Sequence, residues 1–333
     1  MHRNTVIDSS ITAVLQKSSS KRGGLCSYFD PVTEEKWCFM GGESCLLSTA
    51  GMLSTLIILG KSGDNPFYWV AGNRLEEHIA GLRIKRGRMK GAFYTGVGSG
   101  KVMPNYTAHA LDALMDSGAP GDAILEGLEW LVSVQLDSGG FIDIYEKRGV
   151  GWKHNNRRPL WQSQIIRVLY RGALMFDNEA MAEAARRCYR WAMEMFEKGE
   201  EPVHPAGVVG LLEAAMLLRD KHGMQLLGDW CSSAVTPAGL FHEYYMSDGH
   251  SPELDVMPTA HLGIVLLGMD RPSDRYGELL DRIEKGILSA YVENIGFRGL
   301  PGHEELGRYI YTWDTAWAVR FLALKREHHQ PSE

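Results

Sequence analysis

The stretch Leu125-Glu-Gly-Leu-Glu-Trp-Leu-Val-Ser-Val-Gln-Leu-Asp-Ser-Gly-Gly-Phe141 decides how the chain is read. Leu125, Leu128, Leu131, Val132 and Gln135 recur at helical spacing and predict an amphipathic helix. Gly139-Gly140 ends it, because glycine tolerates the left-handed conformation of a helix terminus. Phe141 then follows as an aromatic plug. Weaker echoes of this helix–glycine–aromatic unit stand at Gly23-Gly-Leu25 with Phe29, at Gly239-Leu-Phe241 and at Gly296-Phe297.

Outward from that unit, helices of two kinds alternate. Residues 4–17, 73–82, 122–135, 179–198, 223–234 and 275–292 carry one charged face and read as outer helices. Residues 43–59, 105–115, 161–175, 205–218, 258–267 and 314–324 are apolar and rich in small residues, as an inner layer needs. The period is roughly 50 residues, within the range of repeat architectures, and no β alternation is expected between the helices. Repeated hairpins stack in an open solenoid or close on themselves. Six pairs favour an all-α fold, a closed (α/α)6 toroid of six outer–inner helical hairpins. No stretch has linker composition, so one domain is expected over residues 1–326, with a disordered tail at 327–333. Thr-Ala recurs at inner-helix starts in Asn105-Tyr-Thr-Ala-His, Met257-Pro-Thr-Ala-His and Trp313-Asp-Thr-Ala-Trp, where threonine or aspartate would cap the helix.

With 44% hydrophobic and 23% charged residues, the composition fits a soluble globular protein with a sizeable core. The net charge of −6, without a long run of one sign, argues against nucleic acid as a partner. The longest apolar run, at residues 53–59, is too short to span a bilayer. Five cysteines without a CxxC pair fit reduced packing groups in a cytoplasmic protein. The sequence is silent on oligomeric state.

Trp130-Leu131-x3-Gln135-x4-Gly140-Phe141 resembles the QW repeat of squalene–hopene cyclases, other class II terpenoid cyclases and protein prenyltransferase β subunits. It is also similar to the repeats of six-hairpin glycosidases, unsaturated uronyl hydrolases and uronyl epimerase domains. The cyclase resemblance implies an Asp-x-Asp-Asp-Thr-Ala acid, but Tyr311-Thr-Trp-Asp314-Thr-Ala keeps only its last aspartate and Asp255-Val-Met-Pro-Thr-Ala only its first. The prenyltransferase resemblance implies zinc held by Asp, Cys and His. Here only Asp229-Trp-Cys231 matches that set in part, inside an outer helix, so neither a metal nor another cofactor is expected.

The chemistry is expected in the loops before the inner helices, which gather at one mouth of a toroid. Asp314 is the first candidate acid or base, at an inner-helix start where the helix dipole favours an anion. Glu243 and Asp255 follow, since glycoside hydrolysis commonly uses two carboxyl groups. His242 and Tyr245 are candidate proton carriers for a lyase or epimerase. Trp152, His154, Asn155, Arg157, Arg158, Trp161, Tyr311, Trp313 and Trp317 supply ring faces, hydroxyl readers and carboxylate-binding guanidinium groups. His109 and His261 read as satisfied core histidines. The leading expectation is a carbohydrate-active hydrolase, lyase or epimerase whose small-molecule or oligosaccharide substrate carries a uronate. The alternatives are a divergent class II terpenoid cyclase with an aspartate acid, and a non-catalytic toroid that binds a glycan or protein.

Overall fold

The computed structural model describes residues 3–62, 65–148, 151–155, 162–199, 202–269 and 272–329, with backbone alone at 3–4, 62, 148, 151–155, 272–275 and 329. Along the chain the first helices are α1 (Arg3–Lys17), α2 (Leu46–Ser62), α3 (Pro66–Gly81), α4 (Pro104–Ser117), α5 (Gly121–Ser133) and α6 (Ser163–Phe176). The rest are α7 (Glu179–Glu197), α8 (Pro205–Leu218), α9 (Lys221–Ala234), α10 (Val256–Leu267), α11 (Pro272–Ser289) and α12 (Thr312–His329). The even-numbered helices are the inner layer. Each packs on the next, and α12 packs on α2, so the contacts return to their start. The predicted alternation therefore stands. α12 runs to His329, beyond the expected end at residue 324 and into the segment expected to be a disordered tail.

One pairing differs from the order along the chain. α1 lies against α12, while α2 packs on α3, α6 on α7 and α8 on α9. In space the hairpins are inner–outer, and the N-terminal helix completes the last one. Its buried face (Val6, Ile7, Ile11, Val14) joins the core there.

Short strands, not expected from the sequence, edge the mouth. They are β1 (Tyr28–Phe29), β2 (Lys36–Trp37), β3 (Lys101–Val102), β4 (Ile144–Arg148), β5 (Gly151–Asn155) and β6 (Phe241–His242). Then come β7 (Tyr245–Met246), β8 (Gly249–His250), β9 (Leu254–Asp255), β10 (Tyr291–Val292), β11 (Gly296–Phe297) and β12 (Ile310–Tyr311). Most are two residues long, too short for an alternating pattern to register. β12, β1 and β2 form one antiparallel sheet, β3, β4 and β5 another.

The repeated motif has a different physical role from the one expected. Thr259 Oγ1 accepts the Phe241 amide at 2.9 Å and donates to the Asp255 carbonyl at 2.8 Å. Thr315 accepts the Phe297 amide at 3.0 Å, Thr107 that of Phe93 at 3.2 Å, and Thr49 that of Leu25 at 3.0 Å. These threonines latch the plug of the preceding loop to the inner helix, rather than capping their own helix. In the third repeat Gln162 does the same with both ends of its amide, accepting from Phe141 N at 2.7 Å and donating to Phe141 O at 2.9 Å. The plug rings Phe93, Phe141, Phe241 and Phe297 are fully buried. Gly139 and Gly239 start these plugs at φ +95 and +86, and their Cα atoms press on the carbonyls of Arg187 and Arg282 in the next outer helices. A β-carbon there would lie 2.6 and 2.0 Å from those oxygens. Gln135 adds a tie, donating to Gly139 O and Ala184 O, each at 2.8 Å, while Trp130 is a buried packing group.

Replacing Thr259 with valine keeps the shape but leaves the Phe241 amide buried and unpaired. The expected cost is about 1–3 kcal/mol, measured by urea unfolding. Thr315→Val should show a loss of the same order, and a loss in neither would refute the latch.

Candidate active site

The mouth is the end at which the inner helices begin. α10 and α12 are neighbours in the ring, so their first turns bring Asp255 and Asp314 together. Asp255 is the N-cap of α10, with its carboxylate accepting the Met257 amide at 3.1 Å. Asp314, in the first turn of α12, is 6% exposed, and the Met257 amide favours its charged form. The backbone of Gly299 lies over the pair: a β-carbon there would stand 2.6 Å from Tyr311 Cγ and 3.1 Å from Asp314 Cγ.

Burial lifts Asp314 to about 7, against the pull of the backbone amides. Burial also pushes Asp255 well above the ordinary carboxylate range, reinforced by the charge of Asp314. The pair thus holds a proton near neutrality. Glu243 is half-buried close by, raised by burial and by Glu253. Tyr311 is buried, its hydroxyl lacks a partner among the described residues, and burial with the charges of Asp314 and Asp255 raises it. Four candidates from the sequence therefore meet: Asp314, Asp255, Glu243 and Tyr311.

Other candidates stand apart. The Tyr245 hydroxyl donates to Ala234 O at 2.6 Å and accepts the His242 amide at 3.1 Å, so it pins the end of α9 to the β6 loop. That structural duty removes it from the proton carriers named above. His242 stacks on His250 at 3.5 Å, and burial lowers it. Trp152, His154 and Asn155 lie on β5, where only their backbone is described, opposite Lys147, Tyr145 and Ile144. Arg157, Arg158 and Trp161 fall outside the described residues.

Trp313 and Trp317 face the central channel, not the carboxyl pair. With Asn105, His109, Gln164 and His261 they line a cavity of about 70 Å³ over the first two turns of the inner helices. The His109 ring meets Trp313 edge-on at 4.9 Å, and burial takes its pKa down to about 3, leaving it neutral. One turn deeper, ionic groups fill the channel. Arg167 bridges Asp112 at 3.3 Å and Glu213 at 2.7 Å, Glu213 meets His261 at 3.1 Å, and Arg171 bonds Asp116 at 2.9 Å and Asp112. Burial works against the anions, but Arg167 and Arg171 hold Asp112 below its usual range, and Arg167 with His261 holds Glu213 well below. Arg320 lies over Trp317 at 5.4 Å, and its Nε has no partner among the described residues. This floor is absent from the candidates drawn from sequence, although Asp112 and Asp116 on α4, Arg167 and Arg171 on α6 and Glu213 on α8, charges on otherwise apolar helices, signalled it.

Because the folded carboxyl pair is raised above its unfolded value, its stabilising contribution is complete below pH 4 or so and is lost as pH rises through about 7. Asp314→Asn should flatten the fall in unfolding free energy between those pH values, and an unchanged pH profile would count against the pair. Arg167→Met removes the buried cation shared by Glu213 and Asp112, leaving them His261 and Arg171, and should cost about 3–5 kcal/mol by denaturant unfolding.

No protein-family model and no curated protein sequence matches the chain. Solved structures match it along nearly its whole length. The cellobiose 2-epimerase of Spirochaeta thermophila DSM 6192 is 14% identical with TM-score 0.69, covering 97% of this chain and 96% of that one. A D-mannose isomerase is 9% identical with TM-score 0.74, covering 97% of both chains. An unsaturated glucuronyl hydrolase specific for heparin is 10% identical with TM-score 0.71, covering 98% and 96%. At such identities the likeness bears on architecture. This chain shares the (α/α)6 toroid fold of the six-hairpin glycosidase-like proteins.

Proposed function

We propose that the protein is a carbohydrate-active enzyme working by proton transfer at its mouth, with hydrolysis of a glycosidic bond as the leading reaction. The observation that carries this reading is the Asp255–Asp314 pair, Asp314 buried and Asp255 partly so, held with a proton at neutral pH. A protonated carboxyl group beside an ionised one provides the acid that a leaving glycosidic oxygen needs. Glu243, on the loop facing the pair, supplies a second carboxylate to guide water or stabilise positive charge on the sugar ring. The toroid neighbours, named for epimerisation, isomerisation and hydrolysis of saccharides, support a saccharide substrate. Histidine- or tyrosine-based abstraction at a uronate carbon is the weaker form, since the Tyr245 hydroxyl is spent on backbone. The ionic channel floor speaks against the cyclase alternative, which needs an apolar chamber. The carboxyl pair speaks against a purely binding toroid.

The test is incubation with neutral and uronate-bearing oligosaccharides, read by mass spectrometry and NMR. Hydrolysis adds one water across the cut bond, a lyase leaves an unsaturated product, and an epimerase changes only the NMR spectrum. Turnover should fall on the alkaline side with an apparent pKa near 7, as the acid loses its proton. Asp314→Asn and Asp255→Asn should each lower kcat by about 100-fold or more. Undiminished turnover in both variants would refute the assignment.

A further inference from the structure

The sheet of β12, β1 and β2 carries a file of aromatic rings that no part of the proton chemistry uses. Trp37 and Tyr311 both stand opposite Tyr28, so the three side chains share one face. Tyr28 lies 5.4 Å from Trp37 and 5.2 Å from Tyr311, at interplanar angles of 18° and 24°. Tyr309 meets Tyr28 at 5.2 Å and Trp37 at 5.0 Å, and Phe39 meets Tyr28 at 5.1 Å and Tyr311 at 6.0 Å. Exposure differs across the cluster. Phe39 is 58% exposed, Trp37, Tyr28 and Tyr309 are intermediate, and Tyr311 is 5% exposed. Tyr311 is the buried member, within the electrostatic reach of the carboxyl pair, and Phe39 is an apolar ring held in water.

We propose that this aromatic wall is a binding subsite for a sugar unit next to the reacting one, so that the substrate is an oligosaccharide of two or more units. The inference rests on the saccharide reading above and adds its length requirement. Sugar rings present apolar C–H faces to aromatic rings and hydroxyls at their edges. The wall offers such rings on the solvent side, and the buried Tyr311 joins it to the carboxyl pair. Continuity with the carboxyl pair is what selects a saccharide over a second copy of this protein, which would gain nothing from a wall ending at a buried acid. Arg308, packed over Tyr309 at 4.8 Å and 66% exposed, gives the wall a polar rim.

The experiment measures binding by calorimetry to Asp314→Asn protein, whose slowed turnover leaves the substrate intact during titration. The probes are cellotetraose, mannotetraose and tetragalacturonate with their monosaccharides, and Phe39→Ala and Trp37→Ala are added singly to that background. A tetrasaccharide should bind more tightly than its monosaccharide, and each added substitution should weaken it roughly three- to tenfold while leaving monosaccharide binding alone. Circular dichroism of Phe39→Ala, at an exposed position, controls for folding. Equal affinity for the two lengths, affinity indifferent to both substitutions, or no binding by any probe would overturn the proposal. So would a dimer, seen by light scattering, that Phe39→Ala splits. Wild-type turnover that Phe39→Ala and Trp37→Ala leave unchanged would sink the wall and spare the acid pair. Wall-dependent binding with turnover indifferent to Asp314→Asn would do the reverse.

Discussion

A single hydroxyl-to-amide contact, repeated around the ring, fixes where everything else sits. Four threonines and one glutamine each take the backbone amide of a plug residue, so every such loop is anchored to the first turns of an inner helix. A buried amide without a partner is costly, and the latch removes that cost while seating an apolar side chain between two helical layers. Gly91, Gly139 and Gly239, before three of the plugs, bring the chain against the next outer helix, where a side chain would collide with a carbonyl. Each repeat therefore locks onto its neighbour through backbone, and the side chains of the mouth loops are left free to vary.

That division of labour separates two electrostatic regimes a few turns apart. At the third turn of the inner helices, anions and arginines in the channel pair with one another. At the first turn, two carboxyls face each other with backbone amides as their only favourable company, and they keep a proton instead of finding a cation. The first arrangement is inert because its carboxylates are answered by arginines. The second is reactive because one is not.

Much of this was legible in the sequence, for reasons that differ by residue. Inner and outer helices separate because burial on all sides and burial on one face leave different patterns, and these patterns set the ring order. The ring order in turn makes α10 and α12 neighbours, so Asp255 and Asp314 were recoverable as separate candidates on adjacent repeats, although their mutual effect was not. Thr259 and Thr315 were visible as repeats but misassigned, because each partner lies 18 residues upstream and nothing local points to it. Tyr245 looked reactive because composition does not reveal that its hydroxyl is already committed. The aromatic wall was hidden for a similar reason: Tyr28, Trp37 and Tyr311 meet only through two-residue strands drawn from the two ends of the chain.

The seat of α1 against α12 has a consequence in time. The first helix leaves the ribosome with Val6, Ile7, Ile11 and Val14 ready to be buried, yet the surface that buries them is encoded some 300 residues later. At ordinary elongation rates that surface arrives roughly 15 to 60 s afterwards. Through that interval the nascent ring is an open arc with an unmatched apolar edge at each end. Joining those edges is a contact of nearly maximal sequence separation, the kind that slows folding most. The ring is completed by helices far apart in sequence, and until they meet α1 has no interior to belong to.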